Sequence, residues 1–451
     1  MRKSLLSLAP LALGAFVGAA FADDSSVTLY GTLDASVMNI QKSFSFDANM
    51  VSGGNPLVNH GQNSATGMFS GGLSPSQWGI KGQEDLGGGA KAFFQLESAI
   101  NIQSGALSNA ALALTHNSST TGPNISADSA LNGQLFSRGA WVGIGSAELG
   151  SIQAGRNTSF LLDDIVQADP MMGSYAFSPI GFSGAYGGGG YTDDSRVDNS
   201  IKYKLAISDF NLGLLYKFGG VSGANGAQGA YQINLSYVSG PLGVYAGYEK
   251  FKDAFSLGGS TAGTLTLTAA DTDALMLAAK YSIDATGTTV RGGYEHETFK
   301  DPSNPTQDLA VNSLFGYAIA GTNNVFPFAS NKQQNVYWIG VDQDLGSGFM
   351  VMAAIYHVTQ NSFSSDTTTT TEPHVAGTAK DCATAAADCS GTTNYFSLVG
   401  DYRFSKRTDT YIGIMKASAS GGMGSAYQPS SELPNQSASN RIMGIGLRHK
   451  F

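Results

Sequence analysis

The sequence predicts an all-β fold, a transmembrane antiparallel β-barrel of sixteen strands with long extracellular loops at one end and short periplasmic turns at the other. Three observations predict it: an export leader with no helical span after it, period-two alternation repeated down the chain, and tight turns that take turns with long polar segments.

The leader is residues 1–22. Arg2 and Lys3 form a basic start, Leu5 to Ala20 is apolar apart from Ser7 and Pro10, and Ala20-Phe21-Ala22 is a small-x-small cleavage site before Asp23. An uncleaved anchor helix is the competing reading, but the apolar run is short for a span. Beyond it no apolar stretch is long enough for a transmembrane helix. The mature chain, 23–451, is read as one barrel with no segment left for a second domain.

Composition agrees. The 58 glycines stand beside 19 tyrosines and 24 phenylalanines but only 13 prolines, which favours sheet with close backbone approaches and aromatic girdles over helix bundles. Without Arg2 and Lys3 the chain carries 23 Lys and Arg against 34 Asp and Glu, a charge of −11 that argues against a nucleic-acid partner.

Alternation is clear in three places. Val27, Leu29, Leu33, Ala35 and Val37 share one parity, with Thr28, Tyr30, Thr32, Asp34 and Ser36 on the other. Tyr231, Ile233, Leu235 and Tyr237 alternate with Gln232, Asn234 and Ser236, and Phe396, Leu398, Tyr402 and Phe404 with Ser397, Asp401 and Arg403. One apolar and one polar face per strand follows. A soluble secreted sandwich would show the same, so the connections decide.

Short connections fall at 84–89, 148–150, 208–209, 239–241, 284–287, 344–348 and 405–407, and longer polar segments lie between them. They predict strands at 26–38, 75–83, 90–102, 135–147, 151–157, 196–208, 210–218, 230–239, 242–252, 272–284, 288–300, 333–344, 349–360, 393–405, 409–418 and 439–451. Near 244–251 and 349–358 alternation is poor, and no face can be assigned. Closing the sheet leaves no unpaired edge in lipid, and sixteen strands enclose a lumen too wide for side chains to fill. In the last strand Met443, Ile445, Leu447, His449 and Phe451 share a parity, with Phe451 as the terminal residue.

Several segments resemble the Gram-negative general porins, in particular the sixteen-stranded β-proteobacterial class. They are Ser26-Val27-Thr28-Leu29-Tyr30-Gly31-Thr32-Leu33-Asp34, Trp78-Gly79-Ile80-Lys81-Gly82 with the turn at 84–89, and Lys91 to Glu97. Arg138-Gly139-Ala140-Trp141-Val142-Gly143, Gly155-Arg156-Asn157, Arg196-Val197-Asp198-Asn199-Ser200 and Leu447 to Phe451 follow in order. The resemblance implies a general diffusion porin: passive transport of ions and small hydrophilic solutes through a water-filled pore in the outer membrane. It implies a homotrimer among outer-membrane lipid and lipopolysaccharide, with Phe451 read by the barrel-assembly machinery. It also implies that the third long loop, 157–195, folds into the pore. A substrate-selective channel or a barrel enzyme is the alternative.

On this reading Lys81, Arg138 and Arg196, on the polar parity of strands two, four and six, form the basic wall of the constriction. Many relatives have an arginine where this chain has Gln77, so one positive charge is missing. Asp163, Asp164 and Asp169 are expected to face that wall from the third loop, nearly cancelling it and leaving weak charge selectivity. The bland readings are generic wet-wall charge for the cations and solvated loop charge for the acids. Arg156 shares a parity with outward Ile152 and Ala154, which places it at a subunit contact or at the root of the third loop.

Nothing supports an enzyme. Histidines 60, 116, 296, 357, 374 and 449 lack metal spacing, Ser183 lacks a nucleophile-elbow context, and Gly187–Gly190 is not followed by Lys-Ser/Thr. Asp163-Asp164 and Asp193-Asp194 are paired acids in the third loop. No cofactor motif occurs.

Cys382 and Cys389 lie in a Thr-, Ala- and Asp-rich segment of the seventh long loop. In an oxidising compartment a local disulfide is the leading reading, and a metal site the weaker one. Mass spectrometry of protein purified without reductant should show the Cys382–Cys389 disulfide, and two free thiols would refute it.

Overall fold

The computed structural model describes residues 25–45, 60–105, 107, 135–181, 196–224, 226–259, 264–304, 313–314, 317–324, 330–363, 390–423 and 437–451. The leader, Cys382 and Cys389, and Asp193 and Asp194 lie outside the described residues.

In chain order the strands are β1 Ser26–Ser45, β2 His60–Ser70, β3 Gln77–Gly87, β4 Ala90–Ala99, β5 Gly139–Ser146 and β6 Gly150–Thr158. Helix α1, Phe160–Ala168, follows, then β7 Arg196–Ile207, β8 Phe210–Lys217, β9 Ala230–Ser239, β10 Leu242–Gly259, β11 Thr264–Ile283 and β12 Thr288–Lys300. A short hairpin, β13 Ser313–Leu314 and β14 Tyr317–Asn324, precedes β15 Lys332–Gly346, β16 Phe349–Gln360, β17 Gly391–Arg403, β18 Thr408–Gly421 and β19 Ser437–Lys450.

Neighbouring strands pair antiparallel, and β19 closes on β1 from Thr32↔Lys450 to Ser45↔Ser437. Sixteen positions make up the wall. β2 is the upper part of the second position: it pairs with β1 from Ala35 to Ser45, and β3 pairs with β1 from Ser26 to Thr32. The extra strand β14 lies parallel to the start of β11. Both β10 and β11 run further toward the loop end than the alternation predicts, because Ser256–Gly259 reads as loop yet continues the ladder.

The faces follow the sequence pattern where the lumen is wet. Tyr231, Ile233 and Leu235 are exposed on the outer surface, while Gln232, Asn234 and Ser236 point inward and are buried. Aromatics ring both ends of the apolar band. Phe349 stacks on Tyr402 at 4.4 Å near the turns, and Tyr294 meets Tyr337 at 5.0 Å toward the loops.

β16 shows why its alternation fails. Its inward residues Met350, Met352, Ala354, Tyr356 and Val358 are buried against Leu161, Ile165, Ala168, Met171 and Phe177 of the third loop. The outward residues from Phe349 to exposed Ile355 are apolar too. A strand with lipid on one side and a packed core on the other has no polar face. On β10, Tyr245 joins the same core.

The break between β2 and β3 is held by Asp34. Its buried carboxylate accepts the N–H of Leu73 at 3.0 Å and of Ser74 at 2.8 Å, and also the Tyr411 hydroxyl of β18, one strand beyond β19. Its backbone C=O accepts from Gly71 at 2.7 Å. Arg448 donates to Ser74 Oγ at 2.7 Å. Asp34→Asn aims an amide N–H₂ at some of these donors, so it should cost about 2 kcal/mol. Urea unfolding of detergent-solubilised or vesicle-inserted protein checks this, and an unshifted midpoint would contradict the latch.

Candidate functional site

The third loop supplies the site because its described part, up to residue 181, runs inside the barrel and is tied to the wall. It starts at a glycine bulge in β6, where the register shifts between Gly155 and Asn157 and Gly155 has φ +138. Arg156 is buried there, donating Nε to the Ser137 carbonyl at 2.6 Å and pairing with Asp198. It therefore stands at the root of the third loop.

α1 forms because Ser159 caps it. Ser159 Oγ accepts the Leu162 N–H at 3.0 Å, and Asp163 lies in the first turn, where negative charge complements the helix dipole. Phe160 lies flat on the wall over Gly213 of β8, where a Cβ would come within 2.4 Å of the ring. Lys202 stands 4.1 Å from the centre of the same ring. At the far end Arg291 donates to the Gln167 carbonyl, Lys280 to Gln167 Oε1 at 2.9 Å, and Trp338 Nε1 to the Ala168 carbonyl at 3.0 Å. Two cations thus sit at the negative end of the helix. Beyond it Ser397 donates to the Phe177 carbonyl at 2.6 Å, and Phe177 fills the space over Gly413. Ala176 N–H and Ser174 Oγ both reach the Gly72 carbonyl, at 3.0 and 2.7 Å.

The three acids of the loop do not face Lys81, Arg138 and Arg196 across open lumen. Asp163 accepts from Lys202 Nζ at 2.6 Å and Thr158 Oγ1 at 2.8 Å, with Lys204 Nζ at 3.6 Å. Asp164 is buried and accepts from Asn234. Asp169, also buried, accepts from Tyr356 at 2.6 Å and from the N–H groups of Gly173 and Met171 at 2.7 and 3.2 Å. The physical reason is helical spacing. The first turn of α1 turns its acids toward the wall strands β7 and β9, so Leu162 and Val166 face the lumen.

Those two side chains, with Met172 and Tyr175, line one side of a cavity of about 250 Å³. Gln77, Arg138, Arg196, Thr32 and Lys450 line the other. Three of the expected wall positions therefore meet. Arg138 Nε donates to Glu97 at 2.8 Å and Nη1 to the Tyr175 hydroxyl at 3.1 Å, so the wall is fastened to the loop here. Glu97 also accepts from Tyr30 at 2.8 Å and from Gln77 at 3.4 Å. Lys81 sits apart, nearer the turns, its Nζ 5.1 Å from the centre of the Tyr30 ring. A second cavity of about 600 Å³ opens on the turn side of α1, bordered by Lys91, Phe160, Asp163, Asp164 and Lys204.

Sequence reasoning missed Lys202, Lys204, Lys450 and Tyr175. The first two had a signal, since they share the polar parity of β7 with Ser200. Tyr175 had none, because its place depends on the path of the loop.

Burial and the neighbouring Asp163 charge push the Asp164 carboxyl up to about 7, against the Asn234 hydrogen bond and the nearby lysines. Asp163 is also penalised by burial, but Lys202 and Lys204 hold it below the ordinary carboxylate value. The docked loop therefore holds a proton on Asp164 that a hydrated Asp164 releases, so docking weakens as pH rises from 3.8 toward 7. Asp163 works in the opposite direction and only below 3.8, so it contributes constantly across that window. Amide exchange in 160–168, corrected for intrinsic rates, should be several-fold faster at pH 8 than at pH 5. Asp164→Asn should flatten that difference; an unchanged pH dependence in the variant would contradict the assignment.

The sequence profile described as Gram-negative porin matches residues 8–422. An outer membrane porin protein of Bordetella pertussis is 27% identical over 478 residues, covering 100% of both chains. Outer membrane porin protein 32 of Delftia acidovorans is 30% identical over 297 residues, 62% of this chain and 66% of that one. Among solved structures, an anion-selective porin from Comamonas acidovorans superposes with a TM-score of 0.61 at 21% identity, covering 95% of this chain and 100% of that one. A trimer form of an outer membrane protein of Vibrio cholerae gives 0.54 at 16% identity, covering 95% and 100%. A closed barrel of sixteen wall strands, a loop folded into its lumen and a family match over most of the chain agree: the chain belongs to the Gram-negative porin family, a multi-pass β-barrel channel for solutes in the bacterial outer membrane.

Proposed function

We propose that the protein is a general diffusion channel for ions and small hydrophilic solutes that prefers anions at its constriction and works as a homotrimer. One observation carries the charge preference. Arg138, Arg196 and Lys450 border a cavity that we read as the constriction, opposite Leu162, Val166 and Met172, while Asp163, Asp164 and Asp169 are bound to the wall strands. Selectivity follows the charges at the narrowest point, where the field is focused, rather than the net charge of the chain. Glu97 offsets part of Arg138. The near-cancellation of charge expected from sequence required carboxylates facing the arginines, and α1 turns them away. The anion-selective solved relative and the trimeric one agree with this reading.

Phe451 fits the role of assembly signal. It pairs its backbone with Gly31 at 3.0 and 3.2 Å, its ring covers Gly31, and the residue remains 40% exposed at the periplasmic rim.

Planar-bilayer recording tests the channel. It should conduct without added substrate and exclude solutes by size; conduction only with one bound solute would favour a substrate-selective channel instead. In a KCl gradient the wild type should reverse on the anion side. Arg138→Gln with Arg196→Gln should move the reversal potential toward cations, and Gln77→Arg further toward anions. If neither moves it, these residues do not border the constriction.

A further inference from the structure

The outer surface of the last two strands carries an unbalanced pair of cations. Lys416 on β18 and Arg441 on β19 stand directly opposite one another in the antiparallel register. Both point outward, sharing parities with exposed Ile412 and with exposed Met443 and Ile445. Directly opposed like charges destabilise a sheet unless an anion lies between them. Among the described residues neither side chain has an ion pair or hydrogen bond, and Arg441 Nε is buried with no acceptor.

The contrast with β10–β12 is instructive. There the outward lysines Lys250 and Lys300 share a carboxylate of the chain itself, Asp273, at 3.2 and 2.5 Å. At Lys416 and Arg441 no carboxylate of the described residues plays that part.

Position narrows the choice. Below the pair lie the apolar rows Ile414↔Met443 and Ile412↔Ile445, and above it the hydroxyl row Ser418↔Ser439. Exposed Phe396 stands beside Lys416 on β17. The pair thus marks the loop-side edge of the apolar band, as far along its strands from the turns as Tyr337 is on β15. That edge is where lipid headgroups lie, and where a charge facing lipid costs least.

We propose that Lys416 and Arg441 form a site for the phosphate of an anionic outer-leaflet lipid. The ammonium and the guanidinium fork donate to phosphate oxygens together. Ser418 and Ser439 offer further donors, and Met443, Ile445 and Phe396 receive the acyl chains.

The test uses purified native protein and the Lys416→Gln, Arg441→Gln double variant in mild detergent, titrated with bisphosphorylated lipid A and with the same lipid dephosphorylated, and read by native mass spectrometry. Wild type should bind the phosphorylated lipid at least tenfold more tightly than the dephosphorylated one, and the variant should lose that difference. Unchanged single-channel conductance shows that the variant is folded, since neither side chain faces the lumen. Equal affinity of both proteins for the phosphorylated lipid overturns the proposal. So does displacement of the lipid by equimolar inorganic phosphate, which would make this a free-anion site. Dissociation of the variant into monomers with lipid affinity unchanged also overturns it, because the counter-ion would then be a neighbouring subunit's carboxylate.

Discussion

In hydrocarbon an unpaired backbone N–H or C=O has no water to turn to, and each costs several kcal/mol. Everything else in this structure follows from meeting that demand. The β1–β19 ladder removes the last free edge, and it extends to the end of the chain, where Phe451 and Gly31 exchange backbone hydrogen bonds. A sheet closed over sixteen positions encloses more space than wall side chains can fill. The protein then has to decide how much of that space to leave to water.

It fills part of the lumen with its own chain. The third loop packs Leu161, Ile165, Met171 and Phe177 against inward residues of β10 to β18, giving a membrane barrel an apolar core on its inside. Glycines in the wall let the loop lie close: Phe160 occupies the space over Gly213, and Phe177 that over Gly413. Polar ties along the loop, from Asp163–Lys202 to Ser397–Phe177, satisfy groups that this packing would otherwise strand without water. The same ties bind Asp163, Asp164 and Asp169 to the wall strands. The outer surface obeys a similar rule, since the barrel neutralises Lys250 and Lys300 itself but leaves Lys416 and Arg441 to the membrane.

Much of this was legible in the residues. Alternation is a local property, because neighbouring side chains must face opposite sides of any strand, and Tyr231 to Tyr237 therefore declares its outer and inner faces without reference to the rest of the chain. Turn residues are local too. The glycine turn at 87–89 has positive φ throughout and joins β3 to β4 where it was expected. The wall positions Gln77, Arg138 and Arg196 meet around one cavity, as their places on the polar parity suggest. By itself, then, the sequence determined the barrel, its strand number and the faces of its wet strands.

Only the tertiary structure decided what the third loop does with its charges. Ser159 starts a helix whose periodicity directs Asp163 and Asp164 to Lys202 and Asn234, on strands far away in the chain, and Leu162 and Val166 into the pore. Asp169 finds Tyr356 on β16 in the same way. The missing polar face of β16 has the same origin, since Met350 to Val358 meet the loop rather than water. A parity says which side of the wall a residue faces, but not whether water or another segment waits there. That depends on contacts between distant parts of the chain, and these exist only once the barrel has closed around its own loop.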